Sequence, residues 1–144
     1  MPTFSFGGET KERLEIDVLG YERAASGEYY DDNWLRAVIS ASVGGFSGKF
    51  NAAFLTSELL GFRDELQTLY NSLRGVARFV TMEEQLFIDL TGNGCGGILL
   101  KAIALDAPGN GNRLQFELTL DQTCLLSALE GLNEVIDRFP VRAG

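Results

Sequence analysis

Two periodicities alternate along this chain. Leu14, Ile16 and Val18 fall on one parity and Glu15 and Asp17 on the other, the pattern of a strand with one buried face. After an acidic, aromatic stretch from Ala24 to Asn33, the alternation returns. Leu35, Ala37, Ile39, Ala41 and Val43 oppose Arg36, Ser40 and Ser42. Gly44-Gly45 then predicts a tight turn into a third strand, where Phe46, Phe50, Ala52 and Phe54 share a face. Gly48 lies on that aromatic face, a place for a bulge or for a close neighbour.

From Thr56 the period lengthens. Leu59, Phe62, Leu66, Leu69, Tyr70 and Leu73 recur at helical spacing and predict a helix from about Thr56 to Arg74. Thr56 or Ser57 can cap its start, Glu58 suits the positive end of the helix dipole, and Gly75 suits the left-handed position past its end. Strand alternation resumes over Ala77–Met82, Gln85–Thr91, Gly97–Leu105 and Arg113–Leu120. Asp121 then offers an N-cap to a second helix whose apolar stripe is Leu125, Ala128, Leu129, Leu132, Val135, Ile136 and Phe139, with Pro140 as the stop. The reading is a single α+β domain over residues 1–144. It has a mainly antiparallel sheet of about seven strands in the order βββ-α-ββββ-α, with two amphipathic helices packed on one side. No internal repeat is visible in the residues themselves.

Composition narrows the function more than the fold. With 144 residues and a hydrophobic fraction of 45%, the chain can hold a core without disulfide or metal staples. Twenty acidic against 12 basic residues give a net charge of −8. That disfavours nucleic acid and anionic membrane as partners and favours either plain solubility or a basic protein partner. The sparse pair Cys95 and Cys124 reads as reduced thiols. Met1–Gly8 lacks the basic and apolar regions of a signal peptide, and no stretch approaches the length of a membrane helix, so the expectation is a cytoplasmic protein.

Histidine is absent. That removes Ser-His-Asp and Cys-His catalysis, histidine metal sites and the usual general base near neutral pH. Gly92-Asn93-Gly94-Cys95-Gly96-Gly97 resembles a phosphate loop in composition only. It lacks the spacing and the lysine, and it joins two strands instead of leading a strand into a helix. This stretch and Gly109-Asn110-Gly111-Asn112 read as hairpin turns. The acid pairs Asp31-Asp32 and Glu83-Glu84 leave open a small carboxylate-dependent enzyme, with or without a divalent metal. Adjacent acids on a loop are more often solvated surface, and Cys124 has no histidine to activate it. No catalytic, cofactor-binding or metal-binding residue is assigned, and no cofactor is expected.

The richest segment is Glu28, Tyr29, Tyr30, Asp31, Asp32, Asn33 and Trp34. Tyrosine and tryptophan carry large apolar bodies with polar tips, which suits protein interfaces, and clustered acids suit a basic partner. Glu28, Tyr29, Tyr30, Asp31, Asp32 and Trp34 are therefore the candidate partner-binding residues; the alternative is a loop whose Trp34 covers a core edge while the acids stay solvated. A homodimer through an exposed β edge or outer sheet face, with assembly as the sole function, is a third reading.

Three tracts resemble the WapI-type immunity protein family of bacteria. They are Tyr21-Glu22 with Tyr30-Asp31-Asp32-Asn33-Trp34-Leu35; Leu55-Thr56-Ser57-Glu58-Leu59, with Glu83 and Leu86 in the strands that follow; and Leu114-Gln115-Phe116 leading to Arg138-Phe139-Pro140-Val141-Arg142. The resemblance implies a cytoplasmic antidote that binds and neutralises a toxin domain, typically a nuclease acting on RNA.

Overall fold

The alternation read from the sequence becomes two four-stranded antiparallel sheets instead of one sheet of about seven strands. The computed structural model describes residues 2–8 and 12–143. The first sheet is formed in chain order by β1 (Thr3–Gly7), β2 (Glu12–Tyr21), β3 (Trp34–Val43) and β4 (Phe46–Leu55). The second is formed in chain order by β5 (Arg74–Val80), β6 (Leu86–Asn93), β7 (Ile98–Leu105) and β8 (Arg113–Leu120). The described residues also form three helices: α1 (Tyr29–Asp32) between β2 and β3, α2 (Thr56–Ser72) between the two sheets, and α3 (Gln122–Arg138) after β8.

The extra strand is β1, where Phe4 and Phe6 point into the core and Thr3, Ser5 and Gly7 point out. Two apolar residues beside glycines are too short an alternation to stand out. It pairs with β2 from Thr3↔Asp17 to Gly7↔Arg13. Gly48 makes no bulge, because β3 and β4 pair without a break from Trp34↔Leu55 to Val43↔Phe46. The irregularity lies in β2, between Val18 and Gly20.

Helix α2 starts and ends differently from the pattern's expectation. Its N-cap is Leu55, and the Glu58 carboxylate reaches back to accept the Leu55 N–H at 2.7 Å. The Thr56 hydroxyl is turned away to Asn33. At the other end the C-cap is Leu73, which takes the left-handed conformation with φ 59°, and Gly75, now inside β5, also has a positive φ of 95°. The strain at Leu73 is held by tertiary contact: its carbonyl accepts the Gly94 N–H at 2.7 Å. Helix α3 follows its sequence signals. The Asp121 carboxylate caps it by accepting the Cys124 N–H at 3.0 Å, and the helix ends before Pro140.

Four strands followed by a long helix therefore occur twice, although no sequence repeat announces it. The helices are exchanged: α2, which follows the first sheet, packs on β5 of the second, and α3 packs on β1 of the first. The two helices also pack on each other. Gly131 is what lets α3 approach so closely. A β-carbon there would lie 2.5 Å from the Thr3 carbonyl oxygen and 3.0 Å from the Phe4 α-carbon. Phe6, Phe62, Phe79 and Phe54 run ring to ring at 6.2, 5.1 and 5.5 Å, joining β1, α2, β5 and β4. Both inward sheet faces and both helix stripes share this one hydrophobic cluster.

Candidate protein-binding surface

The Gly-rich and acidic motifs resolve into local structure. Residues 92–97 form the β6–β7 hairpin, in which the Asn93 side-chain oxygen accepts the N–H groups of Cys95 and Gly97 at 2.7 and 3.1 Å. The β7–β8 connection is tied by Asp106, which accepts the Asn112 N–H at 2.7 Å and its side-chain amide at 3.0 Å. These bonds hold the Asp106 carboxyl below the ordinary aspartate pKa. Cys95 and Cys124 are both free thiols. Among the described residues, no group of three or more Cys, Asp or Glu is placed to hold a metal ion. No helix among them is long and apolar enough to cross a membrane.

The aromatic-acidic segment lies between β2 and β3, at one corner of the first sheet. The Glu22 N–H donates to the Trp34 carbonyl at 2.8 Å, which closes the base of the loop. The single turn α1 presents Tyr29 and Tyr30 outward, 39% and 64% exposed. Their rings meet edge to face at 5.3 Å. Glu28 and Asp31 flank them, both exposed, and Trp34 is half-buried at the start of β3.

Asp32 behaves differently from its neighbour. It is only 1% exposed and cannot present its carboxylate to a partner. It accepts the Ser26 N–H, the Ser26 hydroxyl and the Gly27 N–H, all at 2.8 Å. Burial alone would raise its pKa, but the Ser26 and Gly27 hydrogen bonds and the charge of Arg142 outweigh that and hold the carboxyl below the usual aspartate value. Asp32 thus folds the preceding loop back on itself and sets where the tyrosines stand.

Asn33, also 1% exposed, ties this corner to two distant parts of the chain. Its side-chain oxygen accepts the Thr56 hydroxyl and the Arg142 N–H, each at 2.8 Å. Its amide donates to the Tyr29 carbonyl at 2.7 Å and to the Arg142 carbonyl at 2.9 Å. Arg142 lays its guanidinium over the Tyr21 ring, 3.4 Å from the centroid, and donates to the Arg23 carbonyl at 3.1 Å. Tyr21 in turn packs edge to face on Phe139 at 5.6 Å and donates its hydroxyl proton to the Pro140 carbonyl. The free carboxylate oxygen of Glu58 accepts the Met82 N–H at 2.7 Å. Half-burial raises the Glu58 pKa and the nearby charge of Glu83 adds to that, against the two backbone hydrogen bonds.

Parts of the three tracts singled out in the sequence therefore meet here, residues 21–35, 55–59 and 138–142, while Leu114-Gln115-Phe116 belongs to β8. A model of the Immunity protein WapI-like family matches residues 5–140, nearly the whole chain. The chain belongs to that family. No curated protein matches it. Membership of the WapI-like family favours a protein that binds over one that catalyses, and it implies a protein toxin as partner. In this WapI-like chain these tracts are largely scaffold: Asn33 bonds the Thr56 hydroxyl and the Arg142 backbone, and Glu58 bonds the Leu55 and Met82 N–H groups. Sequence reasoning missed Asn33 and Arg142 as the organisers of the corner. The one signal was that the tracts carrying them occur together.

Proposed function

We propose that this WapI-like protein acts in the cytoplasm as an antidote that binds and neutralises a toxin domain. In this reading the toxin meets the turn carrying Glu28, Tyr29, Tyr30 and Asp31, with Trp34 beside it. The observation that carries it is an exposed, edge-to-face tyrosine pair flanked by carboxylates on a turn anchored from within. Tyrosines contribute large contact area at low entropic cost, and a turn already fixed by Asp32 and Asn33 has little ordering left to lose on binding. Glu28 and Asp31 suit a basic partner, as nucleases acting on RNA tend to be, and a chain of net charge −8 adds long-range attraction.

The test is isothermal titration of the protein with the toxin domain encoded next to its gene. Binding at micromolar concentration or tighter, weakened about 30-fold by Tyr30→Ala, supports the proposal; a loss of about 2 kcal/mol is ordinary for a central tyrosine. No heat of binding at micromolar concentrations would overturn it. Full affinity in the Tyr29→Ala/Tyr30→Ala variant would remove this turn from the interface.

A further inference from the structure

The outward faces of the two sheets differ in kind. The first is polar and serine-rich, with Ser5, Glu15, Ser40 and Lys49 in one cross-strand row and Arg13, Ser42 and Ser47 in the next. The second carries three complete rows of four. Val80, Phe87, Ile103 and Gln115 form one; Arg78, Asp89, Lys101 and Glu117 the next; Val76, Thr91, Leu99 and Thr119 the third. Val76, Val80 and Leu99 are exposed, at 42%, 57% and 37%. No helix covers this face: α2 and α3 both pack on the inner side of the core.

The middle row alternates in sign across the sheet: plus on β5, minus on β6, plus on β7, minus on β8. Such a row is its own complement under one symmetry. A two-fold axis parallel to the strands, running between β6 and β7, sets β5 opposite the second copy's β8 and β6 opposite its β7. Arg78 then meets Glu117 of the second copy, and Asp89 meets Lys101. In the row above, Phe87 meets Ile103. An axis perpendicular to the strands would instead set each charge against its own copy. The row is also neutral in a chain of net charge −8, so two copies can approach here without the repulsion that the acidic surfaces elsewhere impose.

We propose that the outer face of the β5–β8 sheet is the interface of a homodimer with this two-fold symmetry. The inference does not depend on the toxin-binding turn, which lies between β2 and β3 of the other sheet. Four strands about 4.8 Å apart and roughly 26 Å long offer about 500 Å² in plan. That is below the roughly 800 Å² per partner of a standard interface, so the dimer is a weak one whose population changes with concentration in the micromolar range.

The test is sedimentation equilibrium of the full chain over that range. A monomer–dimer equilibrium is expected. Lys101→Glu and Asp89→Lys each set like charges opposite one another at the centre and are expected to sediment as monomers. Mixed together, the two variants regain opposite charges at every position and form a heterodimer. That last result cannot arise from a damaged fold. A wild type that stays monomeric throughout, or one whose dimer is unaffected by both substitutions, overturns the proposal. So does failure of the mixture to associate. A monomeric wild type whose Lys101→Glu variant loses affinity for toxin would assign this face to the toxin instead.

Discussion

Asp31 and Asp32 are the same chemistry one residue apart, and they do opposite jobs. Asp31 is exposed and, in the proposed reading, attracts the partner; the inward Asp32 is consumed by Ser26 and Gly27. Because its folded pKa is depressed, Asp32 contributes stability above its unfolded value of 3.8 and loses that contribution as pH falls through the folded value. Asp32→Asn is therefore expected to be less stable than wild type at neutral pH, and the gap should close in acid. Glu58 has the opposite sign. Its folded pKa is raised, so its contribution is complete below 4.5 and is lost as pH rises through the folded value. Relative to Glu58→Gln, wild type should lose stability between mild acid and neutrality. Urea midpoints measured across pH check both slopes, and parallel curves would refute them. Asn33→Ala strands partners on three segments at a buried site. At roughly 1–3 kcal/mol per unpaired buried group, a loss of about 3 kcal/mol is expected in urea unfolding. A loss below about 0.5 kcal/mol, within the range of ordinary surface changes, would mean that water replaces the amide freely.

At the scale of elements, glycine separates propensity from packing. Gly61 lies in α2 with open space where a β-carbon would go, so Gly61→Ala should stabilise by about 0.5–1 kcal/mol. Gly131 lies in α3 against the backbone of β1, where the same substitution meets Thr3 and Phe4. An overpacking cost of about 1–3 kcal/mol should outweigh the propensity gain and leave Gly131→Ala less stable. Thermal unfolding of the pair decides it, and equal shifts would deny the tight approach. Elements were legible where the pattern was long. The eight residues of β8 alternate without a break and match their expected bounds, and Asp121 with Pro140 bracketed α3. Strand β1 was not legible, because Phe4 and Phe6 alone make no pattern. Nor was the division into two sheets: parity says which residues point inward, not which sheet they join. The exposure of Tyr29 and Tyr30 followed from loop composition. The inward turn of Asp32 did not, and the Asn33–Arg142 pairing spans 109 residues that no local rule connects.

Across the whole molecule, in the proposed docking of a toxin at the tyrosine turn, the net charge of −8 and the exposed Asp31 act together on approach rates. Asp31→Lys should slow toxin association several-fold with little change in dissociation, and the difference should shrink as salt rises above about 0.15 M, where the screening length is about 8 Å. Stopped-flow rates at two ionic strengths test this, and an unchanged on-rate would place Asp31 outside the path of approach.

The exchanged helices also bear on how the molecule is made. As the chain leaves the ribosome, β1 to β4 emerge with Phe6 still waiting for Phe62 of α2 and Phe4 still waiting for α3, which follows β8. At about 5–20 residues per second, several seconds pass in which β1 lacks the cover that α3 gives it. A nascent chain stalled anywhere before Gln122 thus leaves β1 without its α3 cover and is expected to be prone to aggregation.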